Sequence, residues 1–229
     1  MDAVASCGRP VMALDLPGHG KSSNARTPSQ TYSFPGYAAI VSQLLDSLAW
    51  PSVDVVGWSL GGHIGLELLG SEPRLNSLLI VGTPPARPSP DALQAAFKRS
   101  DSMGLTGKRE FTQEDVTAYA TKMLGGEKWV APHLLSAVRR TDGEARHYMF
   151  MNAMSGLGAD QRDVVETEEA PLCVVHGERE PFVRLDYLRS IDYKNLWGGE
   201  VFVIADAGHA PHWQRPREFN RILLSFLDR

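Results

Sequence analysis

The segment Val53-Asp-Val-Val-Gly57-Trp58-Ser59-Leu60-Gly61-Gly62 carries a G-x-S-x-G pattern, with a β-branched run before it and a helical pattern after it. A serine hydroxyl is a poor nucleophile until a base takes its proton. The flanks matter here, because a chain that passes from strand to helix within one residue must turn sharply at Ser59. Such a turn lifts the serine Oγ clear of the sheet and aims the helix N-terminus at it. Glycines at 57 and 61 are expected to remove side chains that would collide in the turn.

A base should follow a late strand. Ala207-Gly208-His209-Ala210-Pro211 comes directly after the apolar run Val201–Ala205, at the carboxyl end of a strand, where α/β sheets build their sites. His212 is the nearest competitor and ranks below His209, because it lies three residues further on. A carboxylate is needed to hold the imidazole tautomer and stabilise the imidazolium. Leu172-Cys-Val-Val-His176-Gly177-Glu178-Arg179-Glu180-Pro181 offers two. Glu180 is the choice because it closes the short turn that begins at Gly177, and Glu178 is the alternative. The order Ser59, Glu180, His209 follows the sequence serine, acid, histidine. The Leu60 N–H is the expected oxyanion donor.

The elements that must position these groups read as an alternation. Val11–Leu16, Val53–Gly57, Leu78–Val81, Leu172–His176 and Val201–Ala205 are short apolar runs, as buried parallel strands are. Tyr37–Leu48, Gly61–Leu69 and Arg217–Leu227 show helical periodicity. The pattern predicts a doubly wound, mostly parallel α/β sheet. It breaks between Pro84 and Glu169, where a Pro-rich opening leads into helical patterns such as Gln113–Leu124 and Pro132–Arg140. This stretch is read as a helical cap inserted into the core. The domain reading is therefore core over 1–83, cap over 84–169 and core again over 170–229.

Composition excludes other classes. The 229 residues are 43% hydrophobic and 22% charged, with a net charge of -4 and both signs interspersed, so neither a nucleic-acid face nor a polybasic membrane patch is predicted. No apolar run approaches the roughly 18 residues that span a bilayer, and no signal peptide is read at the N-terminus. Cys7 and Cys173 are not expected to pair, and the cytoplasm is the expected compartment. No metal-ligand grouping and no dinucleotide fingerprint follows a strand, so no cofactor and no metal are expected.

Asp15-Leu-Pro17-Gly18-His19-Gly20-Lys-Ser22 resembles the D-x-P-G-x-G-x-S turn of α/β-hydrolases, with His19 in a structural role. Gly57–Gly62 and Gly208–Pro211 resemble the same superfamily. More narrowly, Gly57-Trp-Ser-Leu-Gly-Gly-His-Ile-Gly65, Gly82-Thr-Pro-Pro85, Arg140-Thr-Asp-Gly143, Gln161-Arg-Asp163 and Glu180-Pro-Phe-Val183 together resemble the metal-independent N-acyl-homoserine lactonases of this fold. The resemblance implies the α/β-hydrolase fold and a triad of Ser59, His209 and Glu180. It also implies substrate contacts from Trp58 and the cap residue Tyr119.

The chain departs from that family at its start. Members carry roughly forty further residues, with three strands and a loop whose N–H completes the oxyanion hole. The N-terminal strands are therefore read as missing and Met1 as a start lying downstream of the true one. Losing one oxyanion donor costs on the order of 100- to 1,000-fold in rate.

The predicted reaction is serine-based opening of an N-acyl-homoserine lactone. Phe97, Met149, Phe150, Met151 and Met154 are candidate walls for the acyl chain. A carboxylesterase or a C–C bond hydrolase on the same machinery is the first alternative. A catalytically impaired or small-molecule-binding remnant is the second. The only predicted partner is a small-molecule ester or lactone.

Overall fold

In the computed structural model, which describes residues 1–99 and 103–229, the sheet has four parallel strands in the order β1 (Val53–Trp58), β2 (Leu75–Val81), β3 (Leu172–Gly177) and β4 (Phe202–Ile204). The main helices are α1 (Phe34–Leu48), α2 (Leu60–Leu69), α3 (Pro90–Ala96), α4 (Gln113–Leu124), α5 (Pro132–Arg140), α6 (Gly143–Met154), α7 (Gln161–Thr167) and α8 (Pro216–Leu227). The parallel sheet carries helices on both sides, as the doubly wound pattern predicts.

The central strands are apolar on both faces, and alternation sorts their side chains between two cores. Leu78, Ile80, Leu172 and Val174 pack with Ile64, Leu66 and Leu68 of α2 and with Tyr37 and Ala38 of α1. Leu79, Val81, Cys173 and Val175 pack with Phe219, Leu223 and Phe226 of α8. Cys173 is a buried free thiol, and burial pushes its pKa up to about 12.

The helices begin and end where local chemistry dictates. The Ser33 side chain accepts the Gly36 N–H at the start of α1. Thr112 and Asp115 form a reciprocal capping box at α4, and Gly125 closes that helix in the left-handed conformation. Both α4 and α5 coincide with their predicted spans.

One predicted element is corrected. Val11–Leu16 is not a strand: it forms no ladder, and Met12 and Leu14 are 43% and 42% exposed. Apolar composition makes a short segment competent for a buried strand, but a strand exists only when a neighbour satisfies its backbone groups. The outer edge of β1 is likewise unpaired, with Val56 48% exposed.

Between β2 and β3 the regular elements among the described residues are helices, and Phe97 forms an isolated bridge with Val183, which lies beyond β3. Several hydrogen bonds tie this stretch to the rest of the molecule, among them those of Asp142 and Gln161. Asp142, at the start of α6, donates its N–H to Gly18 O at 2.8 Å and accepts the Tyr32 hydroxyl at 2.6 Å. At the far end, Gln161 donates from Nε2 to His63 O and to Glu67 of α2. No helix among the described residues is long and apolar enough to cross a membrane.

Candidate active site

Ser59 sits at the sharp junction of β1 and α2 with φ 51° and ψ -113°. A positive φ is costly for a residue with a Cβ and persists only when its surroundings impose it. Hydrogen bonds to both sides of its backbone impose it here. Ser59 N–H donates to Val81 O at 2.8 Å, while Ser59 O accepts from the Thr83 hydroxyl at 2.9 Å and from Gly62 N–H at 2.9 Å.

The glycine pattern works differently from the sequence expectation. A Cβ at Gly57 would overlap the Gly61 carbonyl, one at Gly62 would overlap the Thr83 hydroxyl, and one at Gly65 would come within 2.5 Å of Leu78. At Gly61 a Cβ would meet nothing within 4 Å. The close approaches therefore belong to 57, 62 and 65, while Gly61 contributes its backbone to the crowding at 57.

The N–H groups of Gly62 and His63 both bond Ser59 O, at 2.9 and 3.2 Å. Those of Leu60 and Gly61 have no acceptor among the described residues, as befits the first turn of a helix. They leave a pair of free donors beside the serine.

Glu180 and His209 come together directly. His209 Nδ1 donates to Glu180 Oε2 at 2.8 Å, and the two residues are 2% and 1% exposed. The second carboxylate oxygen accepts the Phe182 N–H at 2.8 Å. Burial works hardest against the Glu180 charge. The hydrogen bond and charge of His209, with the Phe182 N–H, outweigh it and hold the carboxyl below its ordinary range. With Nδ1 committed as a donor, the neutral ring presents Nε2 as an acceptor. Glu178, the competing acid, faces elsewhere and accepts the Asp206 N–H at 3.0 Å.

Ser59 and the His209–Glu180 pair meet at the turn after β2. Ser59 bonds Val81 and Thr83, and a Cβ on the intervening Gly82, whose φ is +59°, would stand 2.8 Å from the His209 ring and 3.2 Å from Glu180. Only a glycine lets the histidine lie this close to the strand. Gly82 and Thr83 were visible in the sequence as part of a familiar string, but nothing in their types indicated this contact. Ser59 Oγ and His209 are not hydrogen-bonded to each other in this state.

Trp58 donates its indole N–H to His209 O at 2.6 Å, and its ring lies 5.5 Å from His209 and 4.9 Å from His212. The edge of the Phe182 ring meets the imidazole at 4.8 Å. His212 packs between Trp58 and Phe219 with Nδ1 buried and unpartnered, and burial pulls its pKa down to about 4. Lys98, which the sequence did not single out, donates from Nζ to Glu180 O at 2.6 Å.

Tyr119 stands apart from these groups. It is half-buried against Phe111 at 5.5 Å, and no hydrogen bond or ring contact joins it to Ser59, Glu180 or His209. Burial pushes its hydroxyl pKa up, partly offset by Arg146. Met151 and Met154 are 51% and 50% exposed, whereas Phe97 and Met149 pack against the core. His19 sits inside its turn, with Nδ1 3.1 Å from Pro17 O.

The arrangement resembles known proteins along nearly its whole length. The N-acyl homoserine lactonase AidH, solved with N-butanoyl homoserine, is 42% identical, with a TM-score of 0.88 over 93% of this chain and 76% of that one. A mutant of the same lactonase, solved with N-hexanoyl homoserine lactone, gives 41% identity and a TM-score of 0.88 over 93% of this chain and 77% of that one. A 2-hydroxy-6-oxononadienedioate/2-hydroxy-6-oxononatrienedioate hydrolase of Pseudomonas sp is 26% identical over 241 residues, spanning 100% of this chain and 81% of its own length. The profile described as alpha/beta hydrolase fold matches residues 1–216. By that match, and with a parallel sheet that carries Ser59, Glu180 and His209 after β1, β3 and β4, the chain belongs to the α/β-hydrolase fold family.

Proposed function

We propose that this protein is a serine hydrolase that opens the ring of N-acyl-homoserine lactones, with Ser59 as nucleophile, His209 as general base and Glu180 as the acid that orients it. The observation that carries the mechanism is the buried Glu180–His209 bond of 2.8 Å beside a serine held at φ 51°. What supports the substrate is the 41–42% identity to a lactonase solved with acyl-homoserine ligands.

In this reading Ser59 Oγ attacks the lactone carbonyl as His209 Nε2 takes its proton. Glu180 stays ionised and stabilises the imidazolium. The oxyanion faces the free Leu60 N–H at the start of α2, where the helix dipole also favours negative charge. His209 then returns the proton to the ring oxygen, and the ring opens on the acyl-enzyme. Water, deprotonated by the same histidine, attacks the ester, and N-acyl-homoserine leaves. Residues 84–169 act as the cap over this site, and Tyr119 contacts substrate from α4. Trp58 acts on the histidine loop as well as lining the site.

A second reading has one observation in its favour. The relative from Pseudomonas sp that spans the whole chain is named as a hydrolase of a 2-hydroxy-6-oxo dienedioate, in which a C–C bond is cut. Mass spectrometry of N-hexanoyl homoserine lactone incubated with the protein separates the two readings. Gain of one water with the acyl chain retained, lost in Ser59→Ala by about a thousandfold or more, is the expected result. No water gain from the lactone, combined with Ser59-dependent cleavage of a 2-hydroxy-6-oxo dienoate, would overturn the lactonase assignment. Ser59-independent binding without turnover of either would overturn the enzyme assignment.

A further inference from the structure

The loop that carries His209 is held by a side chain five residues downstream. Gln214 is 5% exposed and uses both ends of its amide. Its Oε1 accepts the Gly208 N–H at 2.5 Å, and its Nε2 donates to Leu124 O at 2.9 Å. Gly208 precedes His209, and Leu124 is the last residue of α4. One amide thus bridges the histidine loop and the end of a helix 90 residues away in sequence. The neighbouring Trp213 makes a parallel tie, donating from Nε1 to Trp129 O at 3.0 Å.

Gly208 and Gln214 also border a groove of 850 Å³ that runs between α4 and the loops after β3 and β4, with Lys122, Gly125 and Arg179. The carbonyl of His209 is fixed separately by the Trp58 indole.

We propose that Gln214 is a positioning residue for His209, which sets the place of the imidazole relative to α4 and so couples the helical stretch over the site to the general base. The proposal rests on His209 acting as that base. The geometry demands an amide. The acceptor must face an N–H and the donor must face a carbonyl, so a glutamine satisfies both, while an ionised glutamate would set a carboxylate oxygen against Leu124 O.

The test uses Gln214→Leu and Gln214→Glu in the full chain, with p-nitrophenyl butyrate as substrate and the His209 Nδ1–H proton resonance as a second readout. Folded Gln214→Leu is expected to lose on the order of 10- to 100-fold in kcat with KM little changed, since small misplacements of a reacting group cost that much. Its Nδ1–H resonance is expected to move or broaden. In Gln214→Glu the protonated carboxyl can still donate to Leu124 O and the ionised form cannot. A new ionisation is therefore expected in kcat and in the resonance, with the acid form the more active, and it is absent from the parent protein. A folded Gln214→Leu with parent kcat and an unmoved resonance would overturn the proposal, as would a Gln214→Glu that shows no new ionisation. If Gln214→Leu does not fold, the Gln214→Glu titration decides. If the parent shows no Ser59-dependent turnover of p-nitrophenyl butyrate or of N-hexanoyl homoserine lactone, the proposed function fails instead, and the resonance alone decides the role of Gln214.

Discussion

The two halves of the site are built in opposite ways. The serine half is local: one continuous segment from Val53 to Leu69 supplies the strand, the strained turn, the glycines and the helix, and β2 locks it through Val81 and Thr83. The acid–histidine half is assembled from afar. Glu180 is held by Phe182 and Lys98, and the His209 loop by Trp58, Gln214 and, through that amide, Leu124. The local half depends on its own segment and on Val81 and Thr83 beside it. A composite half can be disturbed from several distant places, and Gln214 ties it to the end of α4.

The comparison predicts where single changes will bite. The largest effect on turnover outside Ser59 itself is expected at Glu180, because among the described residues its carboxylate is the only charged group bonded to His209. Glu180→Gln should lower kcat on the order of a thousandfold or more, while Glu178→Gln should stay near the parent value. Kinetics on the two variants side by side would check this, and a damaged Glu178→Gln with an active Glu180→Gln would reverse the assignment of the acid.

The next effect is on stability and tests the local half. Gly57→Ala would drive a Cβ into the Gly61 carbonyl, where backbone cannot yield, whereas Gly61→Ala meets open space. Gly57→Ala should lose several kcal/mol, on the order of 3–5, and Gly61→Ala should change stability by roughly 1 kcal/mol or less. Denaturant unfolding of both variants measures the difference, and equal losses would show that the turn is crowded in some other way.

The smallest effect concerns pH. His63, His176 and His212 are each pulled to about 4 from 6.5, chiefly by burial. A histidine whose folded pKa is depressed takes up protons on unfolding, so the stability it contributes is present above 6.5 and drains away as pH falls towards 4. The protein should therefore lose stability between pH 6.5 and 4. Glu180 acts in the same direction below its ordinary 4.5. His212 has a buried, unpartnered Nδ1, so His212→Phe should flatten part of that slope. Thermal melts across this range, run on parent and variant, would show parallel curves if His212 does not contribute.

The legible parts of the sequence were those whose cause is local. The G-x-S-x-G turn, the strand cores at Val53, Leu78 and Leu172, and helices α4 and α5 follow from periodicity, capping residues and glycine spacing within a few positions. Glu180 and His209 were readable because each must follow a strand to reach the same end of a parallel sheet. Val11–Leu16 misled because a β-prone run does not carry its own partner.

Sequence by itself therefore determined the chemistry on offer and the order in which it is threaded along the sheet. Only the tertiary structure decided that Gly82 must lack a side chain to admit the imidazole, that Lys98 grips the acid loop, and that Gln214 joins Gly208 to Leu124. Periodicity and turn chemistry act between neighbours in the chain. These contacts span up to 90 residues, and they exist only once packing has brought their donors and acceptors within hydrogen-bond reach.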